Sequence, residues 1–115
     1  MFKVLQIALE KEDFMALNEY GWEGAGAYSP RIRAYVKAAI RREYQESFSM
    51  GYHQHVATVD CETLSDVFEI GNIGPENRIT RHSPMQAVSV GDVIETPEGE
   101  FFAVASFGFE KVNSL

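Results

Sequence analysis

The chain has 115 residues, which is the size of one domain and leaves no room for two. Apolar residues make up 45% and charged residues 23% of the sequence, which excludes a disordered tail, a collagen and a coiled coil. Cys61 is the only cysteine, so an intrachain disulfide and a zinc site built from several thiolates are also excluded. No run approaches the roughly 18 apolar residues of a membrane span, and a free cysteine without an export signal predicts the cytoplasm.

The net charge of −7 comes from seventeen acidic and ten basic side chains that are unevenly distributed along the chain. The stretches 57–77 and 91–110 each contain five acids and no base. Half of the bases lie within twelve residues, at Arg31, Arg33, Lys37, Arg41 and Arg42. We therefore expect an acidic body that carries one basic helix. Repulsion of phosphates by the acidic body makes direct binding of nucleic acid unfavourable.

The first half of the chain predicts one strand and two helices, followed by a second strand. Residues 2–9 carry apolar side chains on both strand faces, which favours a central strand and leaves an edge strand as the alternative. Residues 12–20 predict a short helix that ends at Gly21, with a glycine-rich loop over 22–27. Ser29 and Pro30 are a good N-cap and first residue for a second helix, whose helical period continues to Phe48. Residues 52–59 predict a strand.

In the second half, Asp60 or Thr63 is expected to cap a short helix that ends at Gly71. Residues 78–82 are compatible with a short strand. The runs 93–96 and 101–107 predict a hairpin because Pro and Gly lie in the connection between them, and a last strand follows over 109–112. The predicted core consists of Val36, Ile40, Leu64, Phe68, Val93 and Val104.

The predicted order is β-α-α-β-α-β-β-β, without regular alternation of strands and helices. The fold class is therefore α+β, with one domain over residues 1–115. We expect a small, mostly antiparallel sheet with a C-terminal β-meander and two to three helices packed on it.

The second half of the sequence also resembles a known family. The strings SVGDV at residues 89–93, EG at 98–99 and SFGF at 106–109 look like the ending of a family of small uncharacterised proteins encoded by tailed bacteriophages and related plasmids. The string HVATVD at residues 55–60, followed by an acidic helix, is similar to their middle. The resemblance covers roughly residues 52–112. It implies a phage origin, an accessory role and the host bacterial cytoplasm, and it implies no catalytic residue.

The same strings have a structural interpretation. Gly91 permits a tight turn before a strand, and the Asp92 carboxylate can accept backbone N–H bonds in that turn. Phe107 and Phe109 are expected to pack on the core, because aromatic side chains are usually interior.

The histidines and the cysteine are the candidate metal-ligating or catalytic groups. His53 and His55 lie on the same face of a predicted strand, and His82 or Cys61 could supply a third zinc ligand. No spacing ties His82 to the pair, so surface roles are favoured and no metal or cofactor is expected. A nucleophilic Cys61 needs an imidazole beside it. Neighbouring acids raise the pKa of a thiol and a helix N-terminus lowers it, so the sequence leaves that alternative open.

Two charged surfaces are candidate partner-binding sites. Arg33, Lys37 and Arg41 share one helix face, which suits an acidic protein or nucleic acid but is also typical of a solvated amphipathic helix. The carboxylates of the C-terminal hairpin can instead imitate DNA phosphates and occupy a nucleic-acid enzyme. These carboxylates belong to Glu95, Glu98 and Glu100.

The sequence thus favours a non-enzymatic, phage-encoded accessory protein that binds a host protein and alters its activity by an acidic surface. A nucleic-acid enzyme is one class of partner that this surface suits. Two alternatives stay open. One is a small metal- or cysteine-dependent enzyme that uses His53, His55, His82 or Cys61. The other is a nucleic-acid-binding protein that uses the basic helix over residues 30–48.

Overall fold

A computed structural model describes residues 1–114. Within these residues the chain forms a six-stranded sheet, four α-helices and a short 3-10 turn. The strands are β1 (Phe2–Ile7), β2 (His53–Val59), β3 (Ile79–Arg81), β4 (Val93–Glu95), β5 (Phe101–Val104) and β6 (Phe109–Val112). The helices are α1 (Lys11–Gly26), α2 (Pro30–Ala39), α3 (Tyr44–Ser49) and α4 (Leu64–Asn72), and the 3-10 turn spans Glu76–Arg78. The α+β class and the C-terminal meander are confirmed.

The sheet has the strand order β3-β2-β1-β4-β5-β6, and each neighbouring pair is antiparallel. Val4 of β1 lies opposite Ala57 of β2 and Ile94 of β4, so the prediction of a central first strand is confirmed. The register between β1 and β2 shifts after Val4, where β2 has one extra residue. This β-bulge increases the local twist of the sheet.

The two sides of the sheet bury different clusters. On one side, α4 packs Val67 and Ile70 against Phe2, Val4 and Ile94. On the other side, Tyr44 of α3 packs in a cluster with Val93, Ala103 and Val112. A third cluster joins α1 to α2 through Ala25, Ile32 and Val36. The strand alternation of period two separates the first two clusters, since neighbours such as Val93 and Ile94 point to opposite sides.

The long second helix predicted from the sequence is broken into α2 and α3. Arg42 has a φ of 60°, which is left-handed, and Glu43 N donates to Lys37 O across the break. The break turns Tyr44 toward the sheet, while Val36 faces α1. Ile40 follows α2 and is 53% exposed, so its predicted burial is wrong. The sheet consequently carries one helix more than expected.

The first helix is longer than predicted, whereas the second is shorter. Gly21 has a φ of 71° and a ψ of 179°, which kinks the chain, but helical structure then continues to Gly26. The predicted loop over 22–27 is therefore mostly helix. Thr63 is confirmed as the N-cap of α4, because its side chain accepts a hydrogen bond from Asp66 N.

The predicted core is confirmed in part. Val36, Val93 and Val104 are buried, and Leu64 is half-buried. Phe68 is 42% exposed and Phe107 is 96% exposed, so the predicted burial of both is wrong. Phe68 is displaced from the interior because Val67 and Ile70 form the inward stripe of α4 instead. Phe107 lies in the turn between β5 and β6, beyond the end of the sheet.

Candidate functional site

The structure brings together two of the three histidines. The rings of His55 and His82 have centroids 4.8 Å apart. The hydroxyl of Thr58 lies between them, 3.2 Å from His55 Nε2 and 2.8 Å from His82 Nε2. His55 and Thr58 belong to β2, and His82 follows β3, the strand that pairs with β2.

His53 does not join this pair. Its Nε2 donates a hydrogen bond of 2.9 Å to the carbonyl oxygen of Gly91, and its ring meets Phe48 edge-on. Burial lowers the pKa of His53, although the hydrogen bond to Gly91 opposes that shift. His53 is therefore neutral at pH 7 and has a packing role. Among residues 1–114, no group of three His, Cys, Asp or Glu side chains is placed to hold a metal ion.

Cys61 lacks the surroundings of a nucleophile. Its Sγ lies 3.7 Å from the carbonyl oxygen of Thr63. Burial raises the pKa of the Cys61 thiol, and the charge of Asp66 raises it further. Of the four residues of the alternative metal- or cysteine-dependent enzyme, the structure thus brings His55 and His82 together, whereas His53 makes its contacts with Gly91 and Phe48, and Cys61 its contact with Thr63.

The predicted basic face is mostly neutralised by neighbouring groups. Lys37 Nζ lies 3.1 Å from a Glu46 carboxylate oxygen, and Arg41 Nη2 lies 3.3 Å from Glu23 Oε1. Arg33 Nε donates to the carbonyl oxygen of Gly26. These pairs are exposed and are worth little to stability, but they reduce the positive field available to a partner.

The predicted acidic hairpin is also partly neutralised. Glu100 Oε2 lies 2.8 Å from Lys111 Nζ, and Glu95 Oε2 lies 4.0 Å from Lys3 Nζ. Glu98 lies exposed in the turn between β4 and β5. Two of the three carboxylates proposed as a phosphate mimic therefore have a cationic neighbour.

A different acidic surface is available, and we call it the α4 face. It consists of Phe68, Phe107 and the carboxylates of Asp60, Glu62, Asp66 and Glu69. A groove of about 290 Å³ separates α4 from the β5–β6 turn, and Phe68 and Phe109 line it. Phe107 projects from the turn beside this groove.

The carboxylates of the α4 face are free of ion pairs. Within residues 1–114, no lysine or arginine nitrogen lies within 4.0 Å of any of the four. Arg78 lies near three of them, in a shallow depression lined by Glu62, Asp66 and Glu69. The α4 face thus combines protruding aromatic rings with a net negative charge.

A second candidate site is a concave one, which we call the α1–α2 cleft. It encloses about 430 Å³ between the end of β1, the two helices and the loop before β4. Phe14, Trp22 and Tyr35 form aromatic walls. The rings of Trp22 and Tyr35 are nearly parallel, with centroids 5.4 Å apart.

The floor of the α1–α2 cleft is a closed amide network around one carboxyl group. Gln6 Nε2 donates to Asp92 Oδ2 at 3.0 Å and to the carbonyl oxygen of Gln86 at 3.0 Å. Gln6 Oε1 accepts from Gln86 N at 3.1 Å. The backbone N–H of Ser89 donates to Asp92 Oδ2 at 2.9 Å, as predicted for the turn at Gly91.

Gly91 allows the loop to place Asp92 in this position. Its φ is 97°, a conformation that favours glycine, and a Cβ there would lie 2.9 Å from the Cβ of Ala38. Burial raises the pKa of Asp92 to about 7, although hydrogen bonds from Ser89 N and Gln6 oppose the shift. A carboxyl group that titrates near neutral pH in a cleft is a recognised sign of a functional site.

Sequence reasoning missed the α1–α2 cleft because its lining comes from four separate parts of the chain, the end of β1, α1, α2 and the loop before β4. One signal was present: Gln6 is a polar residue between Leu5 and Ile7, in a strand whose other central positions are apolar. A buried amide in such a strand must find hydrogen-bond partners, and these partners form the floor of the cleft.

Comparison with family models, curated proteins and solved structures gave no match for this chain. The phage family resemblance and the cytoplasmic location therefore remain predictions. None of the helices in the described part of the chain has both the length and the apolar character needed to cross a membrane.

Proposed function

We propose that this protein is a non-enzymatic binding protein that acts on another protein through the α4 face. The observation that carries the proposal is Phe107, which is 96% exposed in a turn whose neighbouring residues Ser106 and Gly108 line one groove with Phe68. An exposed aromatic pair is a solubility liability unless a partner covers it. Aromatic side chains are also the residues that most often dominate the binding energy of protein interfaces.

The placement of the reactive side chains supports a non-enzymatic role. His53 donates a hydrogen bond to the carbonyl oxygen of Gly91, and His55 and His82 both contact the hydroxyl of Thr58. Acyl transfer and related chemistry need a nucleophile, a base and a stabilising donor that converge on one point. The thiol of Cys61, whose pKa is raised, is not prepared for such a role.

Charge indicates the class of partner. Unpaired carboxylates on the α4 face suit a protein with a basic surface, and electrostatic complementarity speeds association between such partners. Under the phage resemblance, that partner is a host protein, and enzymes of nucleic acids carry suitable basic surfaces. The α4 face replaces the hairpin of Glu95, Glu98 and Glu100 as the preferred contact, because the hairpin is partly neutralised.

The test begins with affinity capture from a bacterial lysate, identification of a stoichiometric partner, and measurement of its dissociation constant by calorimetry. The Phe107→Ser variant should weaken binding by about 30-fold or more, the effect of losing an interface hot spot. The Glu62→Lys and Glu69→Lys double variant should slow association and reduce its salt dependence. Both changes lie at exposed positions, so the fold should be retained.

Met15→Ser is the matched control, because Met15 is an exposed apolar residue on α1, outside the α4 face. It should leave the dissociation constant unchanged. Unchanged affinity in the Phe107→Ser protein, or an equal loss in the Met15→Ser protein, contradicts the proposed surface. Failure to capture a stoichiometric partner under low-salt conditions contradicts the proposed function itself.

A further inference from the structure

The carboxyl group in the floor of the α1–α2 cleft has one oxygen available to a ligand. Asp92 Oδ2 accepts two hydrogen bonds, from Gln6 Nε2 and Ser89 N. Asp92 Oδ1 accepts none from residues 1–114. Gln6 is in turn fixed by two hydrogen bonds with the backbone of Gln86. The carboxyl group is therefore held in place before any ligand arrives, which is the usual design of a binding group.

This carboxyl group also lacks a counter-charge. Among the described residues, those that line the cleft include no lysine or arginine. A half-buried carboxylate without a cation nearby is unfavourable, and a ligand that brings a positive charge lowers that cost.

The walls of the cleft favour the same kind of ligand. The faces of aromatic rings attract organic cations, and Phe14, Trp22 and Tyr35 supply three such rings. Ile7, Leu9 and other apolar side chains of the cleft can bury the uncharged body of a ligand. A metal ion is poorly served, since it needs several oxygen or nitrogen ligands and the cleft offers one carboxyl group. An anion would be repelled by that carboxylate.

We propose that the α1–α2 cleft binds an organic cation, an ammonium or guanidinium group attached to a flat or apolar body. The group donates hydrogen bonds to Asp92 Oδ1, and its body lies between the aromatic walls. The source of the cation is either a free small molecule or a lysine or arginine side chain of a protein. This site shares no residue with the α4 face, so it stands independently of the proposed function.

The affinity of such a ligand should depend on pH. Asp92 is faced by Gln6 from β1, Ser89 from the loop and Tyr35 from α2, and His53 of β2 contacts the adjacent Gly91. Because burial lowers the pKa of His53, that ring is neutral near pH 7, and Asp92 is the group whose change of charge the cleft senses. With a pKa of about 7, ionisation of Asp92 should increase the affinity for a cation by about tenfold between pH 6 and pH 8.

The experiment is calorimetric titration of the full chain with 2-phenylethylammonium, n-butylguanidinium and N-acetylarginine amide, with neutral 2-phenylethanol as the comparison. We expect at least one cation to bind ten times more tightly than the alcohol at pH 8. Asp92→Asn should lower that affinity at least tenfold, and Trp22→Ala should lower it several-fold. Glu98→Gln, which removes an exposed carboxylate outside the cleft, should have no effect.

The two sources of the cation are separated by the probes. Tighter binding of N-acetylarginine amide points to a protein side chain, and tighter binding of the two simple cations points to a free small molecule. Equal affinity for the alcohol, an affinity that does not change with pH, or equal losses in the Asp92→Asn and Glu98→Gln proteins would overturn the proposal. Should Asp92→Asn fail to fold, the Trp22→Ala variant and the pH series on the unaltered chain decide it.

Discussion

The α4 face and the α1–α2 cleft are built from the same two kinds of group, aromatic rings and carboxylates, in opposite arrangements. On the α4 face, Phe107 is 96% exposed, and so are the side chains of three of the four acids, Asp60, Glu62 and Glu69, to a large extent. In the cleft, the rings line a concavity and Asp92 lies beneath them. Protruding rings suit the broad surface of a protein, whereas a ring-lined cavity suits a small group. Curvature and burial, not residue type, distinguish the two regions.

The largest expected effect is on the free energy of unfolding. It tests whether the carboxyl group of Asp92 is shielded from water by the cleft, as the comparison with the α4 face requires. Its pKa is raised from 3.8 to about 7, so the folded protein keeps a proton that the unfolded chain loses. The contribution of Asp92 to the free energy of unfolding is therefore fully present below about pH 4 and falls as the pH rises to about 7, by at most about 4 kcal/mol at 1.4 kcal/mol per pKa unit, because Asp92 is half-buried. Asp92→Asn should remove this loss, so that the variant is the more stable protein at pH 8.

Urea unfolding at intervals from pH 4 to pH 8 measures this difference. Glu69→Gln on the α4 face is the control, because Glu69 is exposed and should show no comparable pH-dependent difference from the unaltered chain. If the free energies of unfolding of the Asp92→Asn protein and the unaltered chain differ by the same amount at every pH, the carboxyl group of Asp92 is no more shielded than those of the α4 face, and the contrast between the two regions is wrong.

The next effect tests which residues of α4 belong to the core and which belong to its outer surface. Ile70→Ala should lower the free energy of unfolding by about 3 kcal/mol, because Ile70 packs in the cluster against β1 and β4. Phe68→Ala, two positions earlier, should lower it by less than about 1 kcal/mol, because Phe68 is 42% exposed. Equal losses, measured by chemical denaturation, would show that Phe68 is a structural residue and not a free binding group.

A third prediction concerns Asp13, which ties α1 to α2 and so frames the cleft. It accepts hydrogen bonds from Ser29 Oγ at 2.6 Å, from Glu10 N at 2.7 Å and from Arg31 Nη1 at 2.9 Å. Asp13→Ala should cost about 2 kcal/mol, since these donors lose a buried acceptor. The Phe107-dependent binding of a protein partner should persist, because the α4 face packs on the sheet and not on α1.

Asp13 and Asp92 should respond to pH with opposite signs. Burial acts to raise the pKa of Asp13, but hydrogen bonds from Ser29, Glu10 and Arg31 outweigh it, so the pKa is lowered. A carboxyl group with a lowered pKa stabilises the fold above its unfolded pKa and loses that contribution as the pH falls through its folded pKa. The penalty of Asp13→Ala should therefore shrink at pH values below about 4, and a penalty that grows there would contradict the ion pair.

The smallest expected effect compares two histidines that share a strand. His53→Ala should cost about 1 kcal/mol, because it removes the hydrogen bond to Gly91 and the contact with Phe48 beside the cleft. His55→Ala should change the free energy of unfolding by less than about 0.5 kcal/mol, because His55 is exposed. Thermal unfolding of both variants at pH 7.5 checks this, and an equal cost would show that the His55–His82 pair is structural.

Local signals in the sequence were sufficient for much of the fold. The two-sided apolar pattern of residues 2–9 favoured the central strand, and the hairpin that begins at Val93 was predicted correctly. Thr63 was one of the two residues predicted to cap α4. Each of these features is decided by residues close together in the chain. The break between α2 and α3 is not decided by nearby residues. Val36 and Tyr44 fit the spacing of one continuous helix, although in the fold they pack in different clusters.

The two candidate sites were less accessible to sequence reasoning for a related reason. Phe107 was expected to be buried, because hydrophobicity alone does not reveal that a turn carries it past the end of the sheet. Asp92 was predicted as an acceptor in a turn, which is correct, but its burial depends on Gln6 and on helices far away in sequence. Long-range packing decides both burial and charge state, and a single sequence does not display it.

The position of β1 has a consequence for how the molecule is made. β1 precedes both of its neighbours in the chain, because β2 and β4 follow it. A nascent chain that has emerged only as far as α3 offers β1 no strand to pair with. The apolar β1 must remain unpaired on the ribosome until residues 53–59 appear, and its second edge stays open until residues 93–95 do. Such distant pairings make folding slow, and the sheet is expected to close around β1 only after residues 93–95 have been synthesised.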